Sequence, residues 1–171
     1  MINYLIDGNA PLLAFVGILF AFALTCLMTT KCIDLLPRDM GRDFAVDGKL
    51  SAGKPRGAGI IFILVFTASA LLFSDINLEI FIYLAMVVVE MLTGYLDDAS
   101  DKPWGEYKKG LMDLLVAIIT AVTFVKFNGS TIELATLGIS ATLPPVVFCI
   151  LAVILVWVSI NVTNCYDGVD G

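Results

Sequence analysis

An all-α, polytopic membrane helix bundle with five transmembrane helices is the fold class this sequence predicts, and three observations carry it. Of 171 residues, 59% are hydrophobic and only 15% are charged. The mean hydropathy is +0.94. The apolar residues also gather into five long windows separated by polar connections. A soluble domain of this length has too little interior to hide so much apolar surface, and about 20 mostly apolar residues suffice for a helix to cross a bilayer.

Taken in order, residues 10–30 form the first window and residues 57–73 a shorter second one. Residues 78–96 run into Asp97 and Asp98, residues 111–127 carry Asp113 and Lys126 near their ends, and residues 143–160 lead into the polar stretch 161–171. The first apolar run is longer than the h-region of a signal peptide and no basic segment precedes it, so it is expected to stay as a membrane helix. No internal repeat or low-complexity tract interrupts the chain, and residues 1–171 are expected to form a single membrane domain.

Six of the ten Lys and Arg residues (Lys31, Arg38, Arg42, Lys49, Lys54, Arg56) lie between the first two windows. Three more (Lys102, Lys108, Lys109) lie between the third and fourth. The positive-inside rule then places both basic segments in the cytoplasm and the N-terminus outside. An odd number of crossings puts residues 161–171 on the cytoplasmic side as well. The net charge is −6, but the acids cluster in the same cytoplasmic segments as the bases. That juxtaposition suits a metal and a phosphate better than a lipid headgroup surface. The lipid bilayer is the expected surrounding, and no nucleic-acid partner is expected. Cys26, Cys32, Cys149 and Cys165 lie in helices or near the cytoplasmic face and read as free thiols.

Three polar segments carry chemistry. The third helix ends in Tyr95-Leu96-Asp97-Asp98-Ala99-Ser100-Asp101, where Asp97 and Asp101 share a helical face. Like charges this close repel unless a cation holds them, and hard oxygen donors favour Mg²⁺, which bridges carboxylates to substrate phosphates. The plain alternative is a solvated helix end. Glu90 lies two turns before Asp97 on roughly the same stripe, and an ionisable residue inside a membrane is a functional candidate.

Residues 49–59, KLSAGKPRGAG, combine cations with glycines that let backbone amides approach an anion. Lys49, Lys54 and Arg56 are therefore candidate phosphate contacts, while Arg38 and Arg42 need be no more than topology signals. Gly48-x4-Gly53-Lys54 matches the start of a nucleotide-binding P-loop, but Pro55 stands where the magnesium-binding hydroxyl belongs and no strand precedes it. In NVTNCYDGVDG, residues 161–171, Asn161, Asn164, Asp167 and Asp170 recur every third residue. On an α-helix that stripe drifts by about 60° per step and on a 3₁₀ turn it aligns. Amides there can read a base or sugar edge, and the carboxylates can bind hydroxyls, a metal or a proton.

Taken together, GKPRGAG, DDASD and NVTNCYDGVDG, in that order, resemble the polyprenyl-phosphate N-acetylhexosamine-1-phosphate transferases, and among them the branch that makes the first lipid intermediate of peptidoglycan. The resemblance spans almost the whole chain. It implies a ten-helix protein of which these five helices are the N-terminal half, with a C-terminal half of similar length in the same chain or a second one. It further implies a bacterial cytoplasmic membrane, an active site on the cytoplasmic face, a homodimer, Mg²⁺, a UDP-linked amino sugar and polyprenyl (undecaprenyl) phosphate. The implied reaction moves phospho-N-acetylmuramoyl-pentapeptide from its UDP conjugate to undecaprenyl phosphate and releases UMP.

Carried over by position, Asp97 and Asp98 match the paired catalytic aspartates and would hold the metal, with a further ligand beyond residue 171. Asp167 is the third catalytic candidate, and Asn164, Asp167 and Asp170 match residues around the uridine and catalytic pocket. Lys49 and Lys109 match substrate-contacting lysines; Lys54, Asn161 and Gly168 complete the expected substrate-binding set. The sequence departs from the family at three places. The usual GTPTMGG loop reads GKPRGAG, closer to the sister N-acetylglucosamine-phosphate transferases; a lysine-x3-glutamine reads Lys109-x3-Asp113; and there is no His. UDP-N-acetylglucosamine therefore stays open as the donor. Asp98 as base toward the lipid phosphate and a covalent Asp intermediate both remain open too. An ion-coupled transporter using Glu90, Asp97 and Asp113 is the rival reading, but it calls for polar residues near mid-membrane on several helices, whereas the acids here crowd one membrane face.

Overall fold

The computed structural model describes residues 10–39, 52–100, 104–136 and 138–167, with side chains as far as Asn164. Its elements are α1 (Ala10–Cys32), a 3₁₀ turn (Ile33–Leu35), α2 (Gly59–Phe73), α3 (Leu78–Asp98), α4 (Glu106–Asn128), β1 (Thr131–Leu134), β2 (Ile139–Thr142) and α5 (Pro145–Asp167). Each expected helix is present. Among the described residues, four segments are long and apolar enough to cross a membrane: Ala10–Leu35, Leu78–Asp98, Glu106–Asn128 and Pro145–Asn164. The 15 residues of α2 extend only about 22 Å at the helical rise, short of a hydrocarbon core of about 30 Å.

Local chemistry explains where the boundaries differ from expectation. Helix α2 begins at Gly59 rather than 57 because Gly57 adopts φ +70°, a left-handed conformation that a right-handed helix cannot contain. Helix α4 begins five residues before the apolar window, at Glu106, after Gly105 in an extended conformation; an acid in the first turn favours that start. Asp113 consequently lies two turns inside the helix and is 5% exposed. Helix α5 continues through the Asn-rich stretch to Asp167. There Asn161 Nδ2 donates to Trp157 O at 2.9 Å and Thr163 Oγ1 to Ser159 O at 2.8 Å, so polar side chains bond back onto carbonyls one turn earlier and leave the helix intact. The all-α expectation also needs one addition. Residues 128–142, the connection between the fourth and fifth apolar windows, contain a hairpin in which Thr131 pairs with Thr142 and Leu134 with Ile139, with Gly138 at φ +62° in its turn.

The described residues fall into two compact units, one comprising the chain up to Ile76 with the end of α3 from Met91, the other the start of α3 up to Glu90 with the chain from Trp104. In the first, Leu36, Ile61 and Val65 are buried together, flanked by Leu24, Met28 and Tyr95. Helices α1 and α2 approach closely at Gly17, where an added Cβ would stand 3.1 Å from Phe73. In the second, α4 buries Asp113, Val116, Ala117 and Ala121, a stripe at helical spacing. Phe124 stacks on Phe148 with centroids 5.7 Å apart, and Trp157 Nε1 donates to Gly110 O at 2.9 Å, tying α5 to the start of α4. Large side chains such as Phe15, Phe22 and Leu155 are mostly exposed, which is what lipid-facing helices require because the solvent is itself apolar.

Candidate active site

In the first unit the site is built where the GKPRGAG loop meets the last turn of α3. The loop is anchored on the segment after α1. Asp39 N donates to Lys54 O, Gly53 N to Asp39 O and Arg56 N to Pro37 O, each at 2.8 Å. Arg38 is part of that anchor, with Nη2 bonded to Asp34 Oδ1 at 2.9 Å and Nη1 to Gly53 O at 3.3 Å, so it holds the loop in place. The loop pairs with residues 37–39 and does not run straight into a helix after Lys54, unlike a P-loop.

Arg56 Nη2 donates to Asp98 Oδ1 at 2.7 Å, with both side chains about one-third exposed. Gly57 makes this possible: a Cβ there would stand 3.0 Å from Tyr95 Cδ2 and 3.9 Å from Asp98 Oδ2. The loop thus lies close against α3, and the φ of +70° at Gly57 together with that tight approach favours glycine. Asp97, next to Asp98, is half-buried, and Lys54 is exposed.

In the second unit, Glu90, Ser159, Ile160, Thr163 and Asn164 line an open cleft of about 560 Å³. Asn164 faces that cleft and Asn161, bonded back to Trp157, does not line it, in keeping with the drift of a three-residue repeat on an α-helix. Glu90 Oε2 is buried without a hydrogen-bond partner among the described residues, and its carboxyl group neighbours that of Asp113. Lys109 is half-buried at the start of α4.

Of the expected site residues, Asp97, Asp98 and Lys54 fall in the first unit and Lys109, Asn161 and Asn164 in the second. Asp167 ends α5, but its side chain, like Lys49, Gly168 and Asp170 entirely, lies outside the described residues. Sequence reasoning missed two associations, Arg56 with Asp98 and Glu90 with Asp113. Each acid was a visible candidate; no sequence spacing connects either pair. Ser159 and Thr163, which also line the cleft, were not singled out; their only signal is two hydroxyls four residues apart on one helix face.

Among the described residues no group of three or more His, Cys, Asp and Glu gathers to hold a metal. A Mg²⁺ site of one or two carboxylates completed by waters and phosphates needs no such group. Asp97 and Asp98 offer only oxygen donors, and a guanidinium already stands at Asp98 Oδ1 beside the space that a Cβ on Gly57 would take. Two adjacent carboxylates are the donor type that a hard divalent cation takes.

Apolar helices carrying a carboxylate-and-cation site at the end of one of them define an integral membrane protein of the helical-bundle class. The chain belongs to glycosyl transferase family 4, whose sequence profile matches residues 80–171. It is similar to the phospho-N-acetylmuramoyl-pentapeptide-transferases of two strains of Treponema pallidum, one of them the Nichols strain, with 40% identity over 139 residues in both cases. The match covers 80% of this chain and 38% of each relative, so the chain spans little more than a third of the length of these curated relatives. No solved structure matches it.

Proposed function

We propose that this protein is a Mg²⁺-dependent phosphoglycosyl transferase that moves phospho-N-acetylmuramoyl-pentapeptide from its UDP conjugate to undecaprenyl phosphate on the cytoplasmic face of a bacterial membrane. The observation that carries this reading is the 40% identity, over 80% of the chain, to proteins named for that transfer. The pairing of Asp98 with a cationic, glycine-rich loop supports it.

In this reaction an oxygen of the lipid phosphate attacks the β-phosphorus of the UDP-sugar. The bond from that phosphorus to the bridging oxygen breaks, UMP leaves, and a polyprenyl diphosphate sugar remains. Two anions must meet, so the chain has to supply positive charge and a proton acceptor. Lys49, Lys54 and Arg56 of the loop and Lys109 of α4 fill the first role, since cations at a transferring phosphoryl group stabilise charge on the leaving oxygen. Asp98 fills the second, removing the last proton of the lipid phosphate; an Asp nucleophile with a covalent intermediate is the competing scheme. Mg²⁺ held by Asp97 and Asp98, when bound, would neutralise the diphosphate. Asn161, Asn164, Asp167, Gly168 and Asp170 are assigned to the nucleotide and sugar.

The deciding experiment measures UMP release by the intact protein, with polyprenyl phosphate and Mg²⁺, from UDP-N-acetylmuramoyl-pentapeptide and from UDP-N-acetylglucosamine in parallel. Release that requires the lipid phosphate and prefers the first donor is expected. Preference for the second donor would favour the sister activity to which the GKPRGAG loop points, and no release from either would refute the transfer. Orientation has its own test. Single cysteines beside Lys54 and Asp98, in a background lacking the four native cysteines, should be labelled from the cytoplasmic side, and one in the β1–β2 hairpin from outside. Labelling near Asp98 from outside alone would overturn the topology, including the crossing assigned to the short α2.

A further inference from the structure

We propose that Arg56 is a built-in counter-cation for Asp98, which yields the carboxylate to a divalent metal ion and then turns to the diphosphate of the sugar donor. The proposal rests on the transferase reading and adds to it an order of cation exchange at Asp98. Three observations carry it. Arg56 Nη2 occupies Asp98 Oδ1 at 2.7 Å, on an oxygen that the proposed metal site would also use. The Arg56 backbone is fixed through its own N–H to Pro37 O at 2.8 Å, and Gly57 seats the loop on Tyr95, so release of the side chain need not move the loop. Finally, the Arg56 and Asp98 side chains are 36% and 31% exposed. Water therefore screens the pair, and such a pair is weak enough to exchange.

Electrostatics gives the exchange its direction. A divalent cation and a guanidinium on one carboxylate repel each other, so arrival of the metal weakens the hold on Arg56. A freed guanidinium carries five donors in a planar fork that matches phosphate oxygens two at a time. Asp98 is thus kept oriented without metal, and a second positive charge is delivered to the diphosphate when metal and donor are both present. Arg38 provides an internal control, being bonded to Asp34 and to Gly53 O rather than to Asp98.

The first measurement uses the unaltered protein. Phenylglyoxal modification of arginines, mapped by mass spectrometry, should speed up at Arg56 when Mn²⁺ is added, by about threefold or more, and slow again when a UDP-sugar follows, while Arg38 stays constant. The second titrates Mn²⁺ by electron paramagnetic resonance in the absence of nucleotide. Arg56→Gln should bind Mn²⁺ about three- to tenfold more tightly there and, in a separate equilibrium-binding titration with Mn²⁺ present, the UDP-sugar about tenfold more weakly, with Arg56→Lys in between. Modification of Arg56 indifferent to Mn²⁺, Mn²⁺ binding unchanged or weakened in Arg56→Gln, or no Mn²⁺ binding to the unaltered protein would each overturn the exchange. If Arg56→Gln does not fold, the modification experiment and Arg56→Lys still decide. Failure of the transferase reading shows separately, as absence of UMP from every donor while the Mn²⁺ response of Arg56 persists.

Discussion

Asp98→Asn is expected to lower UMP release by on the order of 10²-fold or more, the scale of a lost acid–base group. The substitution keeps the shape of the side chain while removing its negative charge and its capacity to take a proton. An asparagine Oδ1 can still accept from Arg56, so the loop has reason to stay where it is. The ion pair that is weakened is about one-third exposed on both sides, and such pairs contribute about 0–1 kcal/mol. Thermal stability should therefore change little while activity collapses, and that contrast separates a chemical role from a structural one. Near-normal turnover in a folded variant would reject the role of Asp98, and an equal loss of stability and activity would demote it to a structural anchor.

Gly57→Ala should have the second largest effect, and through a different cause. The backbone at Gly57 is at φ +70°, which costs a residue with a Cβ about 1–2 kcal/mol. The new Cβ would also stand 3.0 Å from Tyr95 Cδ2, so the ring or the loop has to give by a few tenths of an ångström, and the ring belongs to the packed cluster around Leu36, Ile61 and Val65. Because the ring is packed against that cluster, the loop is expected to take up the shift, which moves Arg56 relative to Asp98. Activity is expected to fall about tenfold, with a stability loss of about 1–3 kcal/mol. Gly53→Ala isolates the contact from the backbone strain. Gly53 has φ +84° but nothing within 4 Å of its notional Cβ, so it should lose comparable stability and keep most of its activity. Equal activity losses in the two variants would mean that the approach of Gly57 to Tyr95 does not matter.

These two positions also mark what could be read along the chain. Asp98 was legible because three carboxylates end an apolar window, a local pattern that electrostatic repulsion makes hard to explain without a cation. Gly57 was legible only as one glycine among several, because a backbone angle follows from where the loop has to go. In the same way the fifth apolar window was plain, but its extension through Asn161 and Asn164 to Asp167, where polar side chains bond back to carbonyls one turn earlier, was not. The hairpin after α4 escaped notice because two four-residue strands are too short for a clear periodic signal.

Membrane residence, the places of the five helices and the candidate acids and cations were determined by sequence alone. The free energy of moving a segment into lipid is close to a sum over its own residues, so nothing distant need be known to evaluate it. Which of those charges meet was decided by tertiary structure. Arg56 reaches Asp98 across 42 residues, Glu90 lies beside Asp113, and Asn164 rather than Asn161 faces the cleft. Such meetings depend on distances through space, set by how a loop is anchored and how one helix face turns toward another, and no term that sums along the chain contains them.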